Sequence, residues 1–384
     1  MKVNFLIDSV FPGGTYFRAI NLARALTNLG AQVQLFGIDY SPDAIERAET
    51  REGLPCHIVA SCRGQRFFGQ RHHPIVALHR STKDYGDCDV VHMFEPFLAT
   101  YLPWRKFSRE EHSPQQWFDW ADLWAGGGLL GTLPKWGFQE RWEYYWADRI
   151  EAKAPKMATG MTVCSEWLAD LATARGAKQT VLVHHGVWPA IPEPPGNPRR
   201  HLGLLQDVRY LGFMGRTISA TEFSWCLEAL RVAHRRCNTR LAICGPLDHL
   251  VQTIPKDLQT SVDYLGMLKP NECQAFASAL DFALLPLEDT PFNTSRYPLK
   301  FSDYLAAGAR VILSDVGECA EMAKTLNGVL LAEKGLNGWI AAVASAVDSL
   351  EAGTAASPKR EEFEALLSWE KIAAKVLNAY QQNG

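Results

Sequence analysis

Residues 296–303, Arg-Tyr-Pro-Leu-Lys-Phe-Ser-Asp, place two cations, a helix-starting proline and one acid within a single short stretch. Pro298 can open a helix without giving up a needed N–H. Leu299, Phe301, Tyr304 and Leu305 then recur at helical spacing. An exposed helix start presents free N–H groups and a partial positive charge. Arg296, Tyr297, Pro298, Leu299 and Lys300 are therefore candidates to hold an anion such as a diphosphate. Asp303, one turn further in, is placed to accept hydrogen bonds from two sugar hydroxyls. Gly308 reads as a left-handed cap that ends the helix, and 311–313 as a parallel strand buried on both faces. An ordinary helix–strand unit of an α/β sheet has the same pattern, and both readings stand at this level.

Other residues carry the same kind of chemistry. Arg216 follows a strand and a Gly turn at 208–215, and an arginine can grip a diphosphate through two parallel hydrogen bonds. A surface arginine after a strand is the plain alternative. Gly13 and Gly14 separate a strand at 3–7 from a helix at 16–29, and two glycines let the backbone approach a bulky ligand; a tight turn needs no more. Asp119 and Asp122 sit in Phe-Asp-Trp-Ala-Asp-Leu-Trp, 118–124, before three glycines and inside a 104–146 segment with seven tryptophans. Aromatic faces and carboxylates suit a sugar-binding wall, whereas tryptophans filling a core are the alternative. His92 and Glu95 close a short buried strand at 89–93, at the end that lines ligand crevices in open α/β sheets. The Asp-Cys-Asp at 87–89 only precedes that strand and reads as a turn, so no metal is expected.

These residues need elements to position them. A strand, Gly turn, helix and second strand are expected over 3–36. A strand at 161–164 enters a helix capped by Ser165, and a further strand is expected over 181–187. The Pro-rich 189–200 stretch reads as a linker with no element of its own. Beyond it come strands near 208–215, 241–246, 262–268 and 281–286, a helix at 221–235, and closing helices. The expected organisation is a first domain over 1–188, a linker over 189–200, a second domain over 201–368, and a last helix over 369–384 that packs back on the first domain. Within 41–85, Arg63, Arg66, Arg71, Arg80 and Lys83 mix with His72, His73, His79, Phe67 and Phe68. This segment reads as a solvated loop, or as a patch for a phosphate-bearing acceptor or an anionic membrane surface.

A chain of 384 residues suits two domains, and 47% hydrophobic with 21% charged residues suits packed soluble cores. A net charge of -3 gives no global pull toward nucleic acid. Nine scattered cysteines without a C-x-x-C pair point to reduced thiols in a cytoplasmic setting. The first residues read as a strand, not a signal peptide, and no apolar run approaches a membrane span. Peripheral contact at the inner membrane face stays open through the basic segment and the tryptophans.

The segment PLKFSDYLAAGARVILSDVGE resembles the nucleotide-sugar segment of retaining glycosyltransferase family 4. GGTYFRAINLARALTNLGAQVQLFG resembles that family's opening, and Asp-Val-Val-His at 89–92, the 118–128 segment, 213–230, 262–268 and the helix start at 368–372 follow in the family's order. The resemblance implies a GT-B architecture: two Rossmann-like domains with parallel sheets facing a central cleft that holds the active site. It implies transfer of a sugar, with retention, from a nucleotide diphosphate sugar to a hydroxyl of a carbohydrate, natural-product or lipid-linked acceptor. The donor would be a uridine diphosphate sugar ahead of a guanosine one, with no separate cofactor. Gly13, Gly14, Arg216 and 297–300 would hold the diphosphate, with Arg296 and Gly245 beside them. The main chain at Met267 and Leu268 would read the base, and Asp303 the ribose. His92, Asp119 and Asp122 would lie on the acceptor side near the reacting sugar. Four positions depart from the family. Thr221 replaces a phosphate-binding Lys, Ser295 the first and Asp303 the second Glu of an E-x7-E pair, and His185 an Asn. A nucleotide-sugar epimerase, or a weakly active or non-catalytic nucleotide-sugar-binding protein, are the alternatives.

Overall fold

The structure, a computed structural model, describes residues 1–61, 68–109, 113–132, 137–188, 196–216 and 218–383. Arg63, Arg66, Phe67, Trp136 and the 189–195 part of the expected linker lie outside these residues. The chain divides into two compact units. The first comprises 1–186, 295–297 and 369–384; the second comprises 187–294 and 298–368. Arg296 and Tyr297 thus group with the first unit, and Pro298 to Lys300 with the second.

Among the described residues the first unit has eight strands: β1 (Lys2–Leu6), β2 (Gln32–Asp39), β3 (Arg47–Arg51), β4 (Leu54–Ala60), β5 (Val90–Phe94), β6 (Gln115–Trp120), β7 (Gly160–Val163) and β8 (Thr180–Leu182). Their order is β3-β4-β2-β1-β5-β6-β7-β8, parallel except for the edge hairpin β3–β4. Strands buried on both faces read as near-continuous apolar runs, and every residue of β5 is buried. The helix Gly14–Asn28 lays Ile20, Leu22, Ala23 and Leu26 into this core. Ser165 caps the helix Glu166–Ala174 by accepting from the Leu168 N–H at 3.1 Å, a cap worth about 1 kcal/mol.

The second unit holds β9 (Arg209–Met214), β10 (Thr239–Cys244), β11 (Val262–Tyr264), β12 (Phe282–Leu285), β13 (Val311–Ser314) and β14 (Val329–Ala332). Their order is β11-β10-β9-β12-β13-β14, with every pair parallel. The helices Ala220–His234 and Leu336–Glu351 cover one face, where Trp339 is fully buried and donates its indole N–H to the Trp225 carbonyl at 2.9 Å.

Several expectations change. The 189–200 stretch is not wholly without structure: Pro198–His201 forms a helical turn capped by Asn197, and Arg199 pairs with Asp281 at 2.7 Å. The strand expected over 181–187 stops at Leu182. His185 lies buried beyond it, its ring edge-on to Trp369 at 5.3 Å.

The basic segment largely folds inward. Arg80 is fully buried and donates to the carbonyls of Ile7, Phe36 and Ala99. His79 and Lys83 both engage Glu46, and Arg71 pairs with Asp8. Among the described residues, the charges that suggested a phosphate- or membrane-facing patch are already paired or buried.

Candidate active site

In each sheet the chain leaves neighbouring parallel strands in opposite directions at one place: between β1 and β5 in the first, and between β9 and β12 in the second. Ligands of open α/β sheets bind outside the carboxyl ends of strands at such points. Gly215 and Arg216 follow β9 directly, and the segment after β12 runs through the helix Pro291–Ser295 to the helix Leu299–Ala306.

On the second unit the candidate residues form a coherent group. Arg216 is exposed at the end of β9. Among the described residues no ion partner meets it. The Lys300 ammonium lies 3.9 Å from the centroid of the Phe213 ring, and only 2.6 Å from where a Cβ on Gly215 would be. The missing side chain of Gly215 is therefore what lets Lys300 reach the end of β9, next to Arg216. The helix Leu299–Ala306 starts at Pro298 with no side-chain cap. The buried Tyr304 ties this helix to β9, its hydroxyl oxygen accepting from the Met214 N–H at 2.8 Å. Asp303 is exposed on the same helix. The surrounding protein pushes its carboxyl up and Lys300 pulls it down; water still reaches the group, which tempers the shift.

Gly245 follows β10 with φ +126, and a Cβ there would fall 1.8 Å from the Gly215 carbonyl oxygen. Backbone meets backbone at that contact, so nothing flexible gives way. Gly245→Ala is expected to cost on the order of 3 kcal/mol through strain and overpacking, read as a lower urea midpoint, and to displace the Gly215–Arg216 turn. Met267 is exposed and Leu268 half-buried in the loop after β11.

On the first unit, Gly13 is the N-cap of the helix Gly14–Asn28, again without a side-chain cap. Gly14 is exposed, and a Cβ on Gly13 would meet nothing nearer than 3.9 Å. An anion or a main chain has room to approach that helix start.

The structure corrects the placement of His92 and Asp119. His92 is the central residue of β5 rather than its end, and it is fully buried. Asp119 lies inside β6, a strand that the dense aromatic spacing hid, and its carboxylate takes the Arg18 guanidinium at 2.8 and 2.9 Å. Thr162 donates its one hydroxyl proton to Asp119, so His92 Nε2 must donate to Thr162, at 3.1 Å. His92 Nδ1 is then the acceptor for the Tyr380 hydroxyl, at 2.6 Å. Burial pushes the imidazole down to about 3, consistent with this neutral tautomer. Arg18, Asp119, Thr162, His92 and Tyr380 form one interior chain that fastens the last helix, Trp369–Gln382, to the sheet. Trp117 and Trp120 are fully buried beside it, as core rather than as a sugar wall.

Asp122 behaves differently. It lies past the end of β6 and is half-buried. Burial raises its carboxyl, while Arg296, Arg18 and Arg71 pull it down. Glu95, at the end of β5, accepts the Trp124 indole N–H at 2.8 Å. It is pushed well up, first by burial and then by Asp122 and Asp119. Its backbone is left-handed, φ +64, a conformation that clusters at functional sites when it occurs outside glycine. The sequence offered Glu95 only as a strand-end acid; its strain is a tertiary fact.

Among the described residues no cluster of His, Cys, Asp and Glu is arranged to hold a metal ion, and no helix is long and apolar enough to cross a membrane.

Residues 208–349 match the family described as Glycosyl transferases group 1. The matched residues include Arg216, Gly245, Lys300 and Asp303. The fold is that of GT-B glycosyltransferases. The chain is similar in structure to sucrose-phosphate synthase from Thermosynechococcus elongatus, with 18% identity, 100% of this chain and 99% of that chain covered, and a TM-score of 0.75. It is similar to Anabaena HepE, solved in complex with UDP and glucose, with 16% identity, 100% of each chain covered and a TM-score of 0.69. It is also similar to an α,α-trehalose-phosphate synthase (UDP-forming) from Burkholderia xenovorans, solved with glucose-6-phosphate, with 12% identity, 99% and 100% covered, and a TM-score of 0.70. No curated protein matches the sequence.

Proposed function

We propose that the protein is a retaining, metal-independent glycosyltransferase of the family 4 type that moves a hexose from a nucleotide diphosphate sugar, a uridine one first, to an acceptor hydroxyl. The observation that carries this reading is the group at the end of β9. The exposed Arg216, the Lys300 ammonium against Gly215, and an uncapped helix start come together within the group 1 segment. Preorganised cations and amides aimed at a departing diphosphate are the largest single source of catalysis in such transfers. Lys300 also answers the departure at Thr221, because it returns a second cation to the neighbourhood of Arg216. This weighs against the non-catalytic alternative. Asp303 is assigned to the ribose and the main chain at Met267 and Leu268 to the base. On the first unit, the helix start at Gly13 and Gly14 offers amides to an anion, and Asp122 is the acid assigned to the acceptor side. The similarity to a protein solved with UDP and glucose supports the donor class. The eight described cysteines are unbridged, which supports a reducing, cytoplasmic setting.

A thermal-shift screen tests the reading. Saturation with UDP at about a hundred times its dissociation constant is expected to add roughly 2.7 kcal/mol of stability, seen as a rise of several degrees, with smaller shifts for GDP and ADP. Slow release of free sugar from the stabilising donor, followed by NMR, checks transfer chemistry, and the anomer first released reports retention. No shift with any nucleotide diphosphate or its sugar would remove the reading.

A further inference from the structure

The switch point of the first sheet gathers residues that the sheet itself does not need. Asp8 follows β1, Tyr40 follows β2 and Glu95 follows β5, all on the carboxyl edge. Arg71 reaches this edge through a 2.9 Å pair with Asp8. Its guanidinium lies over the rings of Phe97, at 4.9 Å, and Trp124, at 5.2 Å. It is held firmly, yet its side chain remains 46% exposed.

Two features here cost stability. Glu95 keeps its left-handed backbone because its N–H donates to the Asp119 carbonyl and its own carbonyl accepts from Phe97 and Thr100. The Tyr40 hydroxyl is buried without a hydrogen-bond partner. An unsatisfied buried hydroxyl costs about 1–3 kcal/mol. Burial and Asp8 push Tyr40 further up, so it remains an O–H donor. Strain and an orphaned donor at one switch point are what a ligand site looks like before the ligand arrives.

The chemistry of that ligand follows from the inventory. Tyr40 and Arg71 supply donors, and Glu95, its carboxyl pushed well up by burial and by Asp122 and Asp119, lies with them. Asp8 and Asp122 supply acceptors. The charges cancel locally: Arg71 against Asp8, Arg18 against Asp119, and Arg296 acting on Asp122. The Arg80 charge is turned onto three carbonyls. Each hydroxyl both donates and accepts, so a mixed set of this kind matches a polyol. A phosphate brings acceptors only and would face the carboxylates of Asp8 and Asp122. The rings of Phe97 and Trp124 lie beneath Arg71 and hold it rigid.

We propose that this edge of the first unit, at Asp8, Tyr40, Arg71, Glu95 and Asp122, is a saccharide site that takes an uncharged, hydroxyl-rich group and discriminates against its phosphorylated form. Calling that group the acceptor rests on the glycosyltransferase reading; the binding itself does not.

The test uses the full chain. Uncharged mono- and disaccharides and their 6-phosphates are titrated by calorimetry, and UDP is titrated separately. At least one uncharged saccharide is expected to bind, with its phosphate weaker by roughly tenfold or more, the factor for 1.4 kcal/mol. Tyr40→Phe is expected to weaken that saccharide by about fivefold, the loss of one neutral hydrogen bond, without lowering Tm or UDP affinity. A purely structural Tyr40 would give unchanged saccharide affinity, which overturns the proposal. So does a phosphate that binds more tightly than its parent, or a panel in which no saccharide binds. Absent UDP binding alongside a bound saccharide would sink the donor assignment and leave this site standing.

Discussion

Arg216→Ala is expected to lower turnover by about 10²–10³-fold, the range seen when one preorganised donor to a developing oxyanion is removed, and to weaken UDP binding without moving Tm. The side chain is exposed at the end of β9 and packs into no core, so its loss has little to destabilise. Lys300→Ala should act in the same direction. Its ammonium sits where Gly215 leaves room, beside the turn that carries Arg216. Lys300→Arg is not expected to restore function, because a planar guanidinium does not fit the space that a compact ammonium occupies above Phe213. Steady-state kinetics with the donor that stabilises the protein, and calorimetry with UDP, read both variants. Unchanged kcat and unchanged UDP affinity in Arg216→Ala would exclude Arg216 from the site and leave the donor assignment without its main cation.

Asp119→Ala has the second large effect, and it falls on stability. The carboxylate is fully buried against Arg18. Removing one partner of a buried pair leaves an uncompensated charge and costs about 3–5 kcal/mol. Arg18 would keep only its bond to the Val183 carbonyl. The Thr162 hydroxyl would lose its acceptor, and with it the order that sets the His92 tautomer and the Tyr380 contact. Hydrogen exchange should therefore speed up in the last helix, far from position 119 in sequence. The double variant Arg18→Met, Asp119→Leu is expected to recover much of the loss, since apolar replacements of buried pairs are often neutral or better. Denaturant unfolding measures both. A loss below 1 kcal/mol in Asp119→Ala would mean the pair is solvated and that Asp119 is open to a ligand after all.

Much of the frame was legible. Alternating strand and helix patterns, with strands apolar on both faces, announce parallel sheets, and the helix start at Pro298 and the cap at Gly308 lie where their residue types put them. The strand β6 was hidden because Gln-Gln-Trp-Phe-Asp-Trp packs aromatics densely among polar residues whose partners lie elsewhere in the chain: Gln115 and Gln116 donate to the carbonyls of Tyr380 and Trp104, and Asp119 takes Arg18. Likewise the basic run at 71–83 looked like a surface patch, because a sequence cannot show that Arg80 finds three carbonyls or that Glu46 answers His79 and Lys83.

The sequence by itself determined the α/β class, the anion-ready helix starts at Gly13 and Pro298, and the residue types at the end of β9. These follow from local rules: glycine and proline placement, apolar period, and the free N–H groups of any helix start. Only the tertiary structure decided which charges are available. It buried His92 and Asp119, left Arg216 and Asp303 exposed, set Lys300 against Gly215, and gathered Asp8, Tyr40, Arg71 and Glu95 at one strand edge. Exposure and pairing depend on contacts between residues far apart in the chain, and no local pattern encodes them.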